Sequence, residues 1–239
     1  MNSEQSARFA LVLARAVARS PNSAMCRVCV EILAVSGAGI TVMSGGHAGP
    51  LCVSGGRMAA LEDLQFTMGE GPCQDAYASG RPVHAPNFGA ATSARWPTFV
   101  LQALDAGVGG VFAYPMSSHG AKVGVLTLYQ DIAGELTAEQ HYDSIAIATL
   151  LTETVLSMQD KAPAGELAGG LEDVVGYRAE IHQASGMVSI QLGIPVAEAL
   201  LRIRAHAFAI GSPVGVVAAD IVARRLRLSD DREQQGEGV

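Results

Sequence analysis

Gly109–Tyr129 reads GGVFAYPMSSHGAKVGVLTLY. Two runs rich in valine, leucine and aromatics flank Ser117-Ser118-His119-Gly120, a turn signal. Gly109–Met116 and Lys122–Tyr129 are therefore expected as the two strands of one hairpin. Downstream, Thr137 is a good N-cap, and Gln140 stands where a capping box requires it. Tyr142, Ile145, Ala148, Leu150, Leu151, Val155 and Met158 make the segment from there to about Gln159 a long, strongly apolar helix. A hairpin feeding such a helix decides for a sheet packed by helices.

Working upstream, Arg81–Ala85 reads as a strand. Gly39–Ser44 (GITVMS) and Leu51–Val53 read as two more, with Gly45-Gly46-His47-Ala48-Gly49 suiting a turn between them. Helical stretches are Ala7–Arg19, Ser23–Ala34, Gly56–Gln65, Cys73–Ser79 and Trp96–Ala106, with Pro86–Thr92 left as loop. Short strands joined by hairpins, with helices at both ends, predict an α+β domain built on an antiparallel sheet. A doubly wound parallel sheet fits less well.

Downstream of the long helix, Asp160–Gly170 (DKAPAGELAGG) has linker composition, and no strand signal follows. Leu171–Leu192 is helical, with Leu171, Val174, Ile181, Ala184, Val188 and Leu192 near one face. Gly193 stops it, and Pro195 suits the first position of a helix running to Ile210, whose buried side would be Val196, Ala199, Leu200, Ile203 and Ala207. Ser212 is expected to cap and Pro213 to open a last helix, with Val214, Val217, Ala218, Ile221 and Val222 inward. The expected division is therefore 1–159 for the mixed domain, 160–170 linker, 171–228 a three-helix module and 229–239 a flexible acidic tail.

Of 239 residues, 49% are apolar, ample for a core and unlike a disordered chain. No run approaches the roughly 18 apolar residues of a membrane span, and the N-terminus lacks a basic-then-apolar signal layout. No membrane association and a cytoplasmic location are the expectation, and with them a disulfide framework is not expected. The net charge is −7, yet between Val174 and Leu228 six arginines (178, 202, 204, 224, 225 and 227) face three acids (Glu180, Glu198 and Asp220). A local basic face matters more for phosphate binding than whole-chain charge.

The segment Ile181-His182-Gln183-Ala184-Ser185-Gly186-Met187-Val188, then Gly193, Ala199-Leu200-Leu201-Arg202, Ala207-Phe208, Ala218 and Ile221-Val222, resembles the ANTAR domain over roughly residues 171–228. The resemblance implies a dimeric module that binds paired hairpins in nascent RNA and prevents transcription termination. His182, Ser185, Arg202, Arg204, His206, Arg224 and Arg225 are the RNA-binding candidates. The family often carries Lys where this chain has Ser185, so one phosphate contact is missing.

Upstream, Gly69-Glu70-Gly71-Pro72-Cys73, Gly80-Arg81-Pro82-Val83, Arg95-Trp96-Pro97, Tyr114-Pro115-Met116 and Gly124-Val125-Leu126-Thr127-Leu128-Tyr129 resemble GAF domains over about residues 7–158, especially those fused to ANTAR modules in actinobacteria. That resemblance implies small-molecule sensing by a homodimer without naming the molecule or any cofactor. By analogy its pocket would be lined by parts of Val53–Gly71, Asn87–Trp96 and Val111–Tyr114.

Other chemistries fit the residues less well. Cys26-Arg27-Val28-Cys29 has CxxC spacing, but zinc needs four ligands and no second pair follows; buried structural cysteine is the better reading. Cys73, at the expected start of a helix, offers a thiol-reductase alternative like that of GAF-type methionine sulfoxide reductases, yet no later cysteine follows it. His47, His84, His119 and His141 show no ligand spacing, so no metal is expected. No hydrolase elbow, phosphate loop or paired-carboxylate signature occurs, so the chain is expected not to be an enzyme. Glu198 stands one turn before Arg202 for an ion pair, and Arg224 could likewise answer Asp220. A DNA-reading helix-turn-helix fits poorly, because the last helix is basic at its C-terminal end.

Overall fold

The computed structural model describes residues 21–44, 47–160 and 171–229. Contacts divide the chain into two compact units between Val175 and Gly176.

The first unit runs α1 (Pro21–Leu33), β1 (Gly37–Ser44), β2 (His47–Val53), α2 (Gly56–Met68), α3 (Pro72–Ser79), β3 (Val83–Ala85), α4 (Ala90–Arg95), α5 (Pro97–Asp105), β4 (Gly110–Ser118), β5 (Ala121–Gln130) and α6 (Ala138–Asp160). Its sheet has the order β2-β1-β5-β4-β3, antiparallel throughout, as the strand readings required. The β4–β5 hairpin closes through His119 (φ 48°) and Gly120 (φ 84°), the paired positive φ values of a tight primed turn. The Thr137 capping box forms in both directions: Gln140 N donates to Thr137 Oγ1, and Thr137 N donates to Gln140 Oε1.

Three local readings shift. β2 already begins at His47, because Ala48 and Gly49 pair with Met43 and Val42. β3 begins at Val83 rather than Arg81. Part of the Pro86–Thr92 loop is helical, since α4 starts at Ala90. The expected helix Ala7–Arg19 lies outside the described residues.

Strand alternation splits the core in two. On one face Ala38, Ile40, Phe112, Tyr114, Met116, Leu126 and Leu128 pack with Met25, Cys26, Cys29 and Leu33 of α1 and Ile147, Ala148, Leu151 and Val155 of α6. On the other, Met43, Val83, Ala85, Val111, Ala113, Val125 and Tyr129 lie under α2, α3 and α5, with Met58, Leu61, Cys73, Ala76, Phe99 and Val100. Phe112 and Tyr114 thus face α1 and α6, not the face expected to hold the pocket.

A disulfide joins Cys26 of α1 to Cys52 of β2, contrary to the expectation of free thiols. Spacing along the chain did not betray it, because the partner comes from an edge strand beyond β1. Cys29 and Cys73 are buried and take no part in a disulfide.

The second unit contains most of α7 (Leu171–Leu192), then α8 (Val196–Ala209) and α9 (Val214–Val222). Gly193 (φ 65°) and Gly211 (φ 62°) end α7 and α8. Across Gly193 the axis bends by 105°. Ile181, Ala184, Val188, Ala199, Ile203, Ala207, Val214, Val217, Ala218 and Ile221 are buried. Val196 is exposed, because Pro195 is the N-cap and the helix begins one residue later than expected. Pro213, not Ser212, is likewise the N-cap of α9. The side chains of Leu171 and Val174, most of the linker and the tail beyond Ser229 lie outside the described residues. Among the described residues no single helix is long and apolar enough to cross a membrane.

Candidate functional site

In the first unit, the face under α2 holds an unusual set of buried polar groups: Thr41 on β1, Thr127 on β5, and Glu62, Gln65 and Thr67 on α2. Thr41 Oγ1 donates to Glu62 Oε2. Glu62 and Gln65 stand three positions apart, so they share one face of α2. Cys73 N, at the start of α3, donates to Gln65 Oε1 at 2.7 Å. Gly71 (φ 124°) makes room for that contact: a Cβ there would lie 2.7 Å from Gln65 Oε1. Gln65 Nε2 and Thr67 Oγ1 are buried without a completed hydrogen bond. Burial pushes the Glu62 carboxyl above the ordinary carboxylate range, and hydrogen bonds from the Thr41 and Thr127 hydroxyls offset this only in part.

The motif residues around this face act as ties. Glu70 Oε1 accepts from Thr98 N and Phe99 N, both at 2.7 Å, and so caps α5 from the preceding segment. Asp75 Oδ2 accepts from Arg95 Nε at 2.7 Å and Trp96 Nε1 at 3.1 Å. Trp96 packs edge-on to Phe99. Gly69–Cys73 and Arg95–Pro97, two of the stretches that carry the GAF resemblance, hold α2, α3 and α5 together.

Cys73 is 1% exposed, and its backbone rather than its thiol makes the contact with Gln65. Cys29 is similarly enclosed, and burial pushes its thiol up to about 12. Two of the scattered histidines meet: His84 of β3 lies 5.0 Å, ring to ring, from His141 of α6, and Tyr114 Oη lies 3.1 Å from His141 Nδ1. Burial and then neighbouring His141 hold His84 below its usual range. His119 is in the β4–β5 turn, and the side chain of His47 lies outside the description. Among the described residues no cluster of three His, Cys, Asp or Glu could hold a metal.

In the second unit, the RNA candidates separate. Ser185 is 1% exposed, and its Oγ donates to the Ile181 carbonyl at 2.7 Å, so it faces inward. His182 is exposed on α7. Arg202 and His206 follow Glu198 at one-turn intervals along α8, with Arg202 Nη2 3.9 Å from Glu198 Oε1. Arg204 flanks the buried Ile203 stripe on its other side, and burial lowers its guanidinium pKa. Arg225, not Arg224, answers Asp220, at 2.7 Å. The reason is that α9 ends at Val222 and Arg224 takes a left-handed conformation (φ 60°), off the helical spacing that the sequence reading assumed. Arg224 and Arg225 are both exposed.

Comparison with known proteins places the first unit. The family model for the GAF domain matches residues 22–155. Among solved structures, the GAF domain of an Acinetobacter phosphoenolpyruvate-protein phosphotransferase is 11% identical with a TM-score of 0.51, covering 68% of this chain and 99% of that one. The corresponding domain from Coxiella burnetii is 14% identical (TM-score 0.48; 67% and 98% covered). A type II free methionine-R-sulfoxide reductase from Thermoplasma acidophilum is 15% identical (TM-score 0.43; 59% and 93%). No curated relative matches the chain. At 11% identity the likeness to the Acinetobacter domain is one of fold.

Proposed function

The chain belongs to the GAF domain family through residues 22–155, and from that premise we propose that it is a signal-responsive transcription antitermination regulator. The GAF domain senses a small molecule, and the C-terminal helices bind paired hairpins in nascent RNA. The protein works as a cytoplasmic homodimer without catalysis. A ligand changes RNA binding only by favouring one arrangement of the dimer over another.

The observation that carries the RNA half is the ANTAR-like succession from Ile181 to Val222. Within it Ile181, Ala184, Val188, Ala199, Ala207, Ala218 and Ile221 are buried among three helices, while Leu201, Phe208, His182, Arg224 and Arg225 are exposed and Arg202 and His206 are half-buried. Ser185 leaves the RNA-facing set because it is turned inward. Arg204 is secondary, its head group being largely enclosed.

The test is binding of the full chain to paired-hairpin RNA, single-hairpin RNA and duplex DNA over a salt series. Tight binding only to the paired hairpins, with Arg202→Ala and Arg224→Ala each lowering the salt slope by about 1, supports the reading. Equal or absent binding to all three nucleic acids at low salt overturns it. The exposed Leu201, Phe208, Ile210 and Val216 favour a second reading, in which these helices serve dimerisation or protein contact beside a ligand-sensing domain, without RNA activity. The same negative result, from a folded dimer, supports that one. A reductase built on Cys73 is disfavoured by the burial of that thiol.

A further inference from the structure

On the face of the sheet that packs α1 and α6, one patch at the edge is not apolar. β3 is a three-residue edge strand, and alternation turns Val83 and Ala85 into the core while His84 points to the opposite side. There His84 meets the start of α6. Its ring centre lies 5.0 Å from that of His141, edge to face, 5.5 Å from Tyr114 and 5.6 Å from Phe112. His141 is held in turn, with Nδ1 3.1 Å from Tyr114 Oη and its ring 5.8 Å from Tyr142. His84 is exposed and His141 half-buried, so protons reach the pair in the folded protein. The titratable groups facing it come from three places. β4 supplies Tyr114, α6 supplies Tyr142, and the segment between β5 and α6 supplies Glu135, whose negative charge acts on His84.

Two imidazoles thus share one carboxylate. The arrangement suits a pair that carries at most one positive charge. A second proton sets two like charges about 5 Å apart, ring to ring, and Glu135 can answer only one of them. We propose that His84 and His141 form a proton-operated latch between β3 and the first turns of α6, closed while the pair carries at most one charge and released by the second proton. Release is confined to the start of the helix, because Ile147, Ala148, Leu151 and Val155 bury the rest of α6 in the core. The chain continues from α6 into the 160–170 segment, so the latch gives the first unit a proton input at its last helix. It requires neither a small-molecule ligand nor RNA, and it stands or falls apart from the function proposed above. The direction of the response follows from linkage. Burial and the charge of His141 disfavour protonated His84 in the folded chain, so the unfolded chain takes up this proton first as pH falls. The latch is complete above about pH 6.5, the range of a free histidine, and weakens as pH falls from there through the lower range of folded His84.

The experiment follows the histidine ring signals of the full-length protein by NMR from about pH 8 to about pH 5, around the free-histidine range, with amide hydrogen exchange read on the same samples and corrected for the pH dependence of unstructured amides. His84 is identified by the signal lost in His84→Gln. Its midpoint is expected below that of a free histidine. The midpoint rises in His141→Gln, which removes the opposing charge and keeps a polar group beside Tyr114, and falls in Glu135→Gln, which removes the counter-charge. Over the same window the amides of residues 141–144 lose protection by at least about tenfold in the wild type and by no more than about threefold in His84→Gln, while those of residues 151–155 and of β4 and β5 hold. A His84 midpoint indifferent to His141→Gln, equal loss of protection in wild type and His84→Gln, loss spread evenly over α6 and the sheet, or no loss at all overturns the latch. Should either glutamine variant at the pair fail to fold, His84 is identified by its ring contact with Phe112, and the shift in Glu135→Gln together with the wild-type exchange pattern still decides.

Discussion

The two faces of the sheet in the first unit come from the same strands and are built to different rules. Toward α1 and α6 the strands present Phe112, Tyr114, Met116, Leu126 and Leu128, and the Cys26–Cys52 disulfide fastens α1 to the edge strand. Toward α2 and α3 the intervening residues are mostly smaller or polar, Val111, Ala113, Val125 and Thr127, beneath buried Glu62 and Gln65. Large apolar side chains give dense packing and stability. A face that buries polar groups gains less from packing, because their desolvation offsets much of what their hydrogen bonds return. One sheet thus carries an apolar face and, toward α2 where the proposed sensor would take its ligand, a more polar recognition face, set apart by the period of two that every strand imposes.

The sharpest way to break this contrast is to cut one residue from each face. Phe112 is fully buried, and Phe112→Ala is expected to cost about 3–5 kcal/mol in urea unfolding. Thr127, equally buried, offers a smaller side chain whose hydroxyl is turned to Glu62, and Thr127→Val, which keeps the volume and loses that contact, is expected to cost only about 1 kcal/mol. Similar losses at both positions would mean that the faces do not differ in this way.

The disulfide comes next. It joins residues separated by 26 positions, so chain-entropy arguments give it about 3.5 kcal/mol. The Cys26→Ala/Cys52→Ala double variant should lose that much in denaturant, and a reductant should then change the wild type alone. With its pKa near 12, Cys29 stays a thiol at neutral pH and does not attack the neighbouring disulfide. Mass mapping of unreduced protein should therefore find Cys26–Cys52 as a single species, and a mixture of pairings would contradict the enclosed environment of Cys29.

Much of this fold was legible because its signals are local. The Gly109–Tyr129 hairpin, the Thr137–Gln140 box and the span of α7 each rest on residues within a turn or two of one another. What was not legible depends on approach in space. Cys26 meets Cys52 only after β2 folds back along β1, and His84 meets His141 only once α6 packs on the sheet. The buried polar set beneath α2 is the plainest case. Thr41, Glu62 and Thr127 come from three separate elements, and each alone is an unremarkable residue in an amphipathic segment. At Asp220 the limit was one residue of helix length: ending α9 at Val222 exchanged Arg224 for Arg225.

The recognition face can be sharpened by pH. At low pH Glu62 is protonated in the folded and unfolded chains alike, and its titration contributes nothing. As pH rises through the ordinary carboxylate range, the unfolded chain releases this proton while the folded one, its pKa raised by burial, retains it. Stability should therefore fall with rising pH from that range up to the folded pKa and then level off. Melting temperatures of wild type and Glu62→Gln, measured across acid to neutral pH, should diverge in that window, with the variant flatter. Parallel curves would show that Glu62 titrates as an ordinary exposed acid and is not enclosed on this face.

The smallest expected effect concerns the ties that frame the recognition face. Glu70 belongs to a Gly-Glu-Gly-Pro stretch that reads as a turn, yet its carboxylate accepts from two backbone N–H groups in the first turn of α5. The N-cap residue Trp96 has no side-chain cap bond of its own, so the end of that helix depends on a group from another segment. Glu70→Ala leaves both donors without this acceptor and should cost about 1 kcal/mol, the usual worth of a cap. Glu70→Gln keeps an oxygen in place and loses only the attraction of a negative charge for the helix N-terminus, about 0.5 kcal/mol. Hydrogen exchange supplies the site-specific readout: the Thr98 and Phe99 amides should exchange faster in Glu70→Ala, while amides of β4 and β5 change only by the loss in global stability. Equal acceleration in the two sets would make Glu70 a contributor to global stability rather than the clasp of α5, and the ties around the recognition face would then be incidental to it.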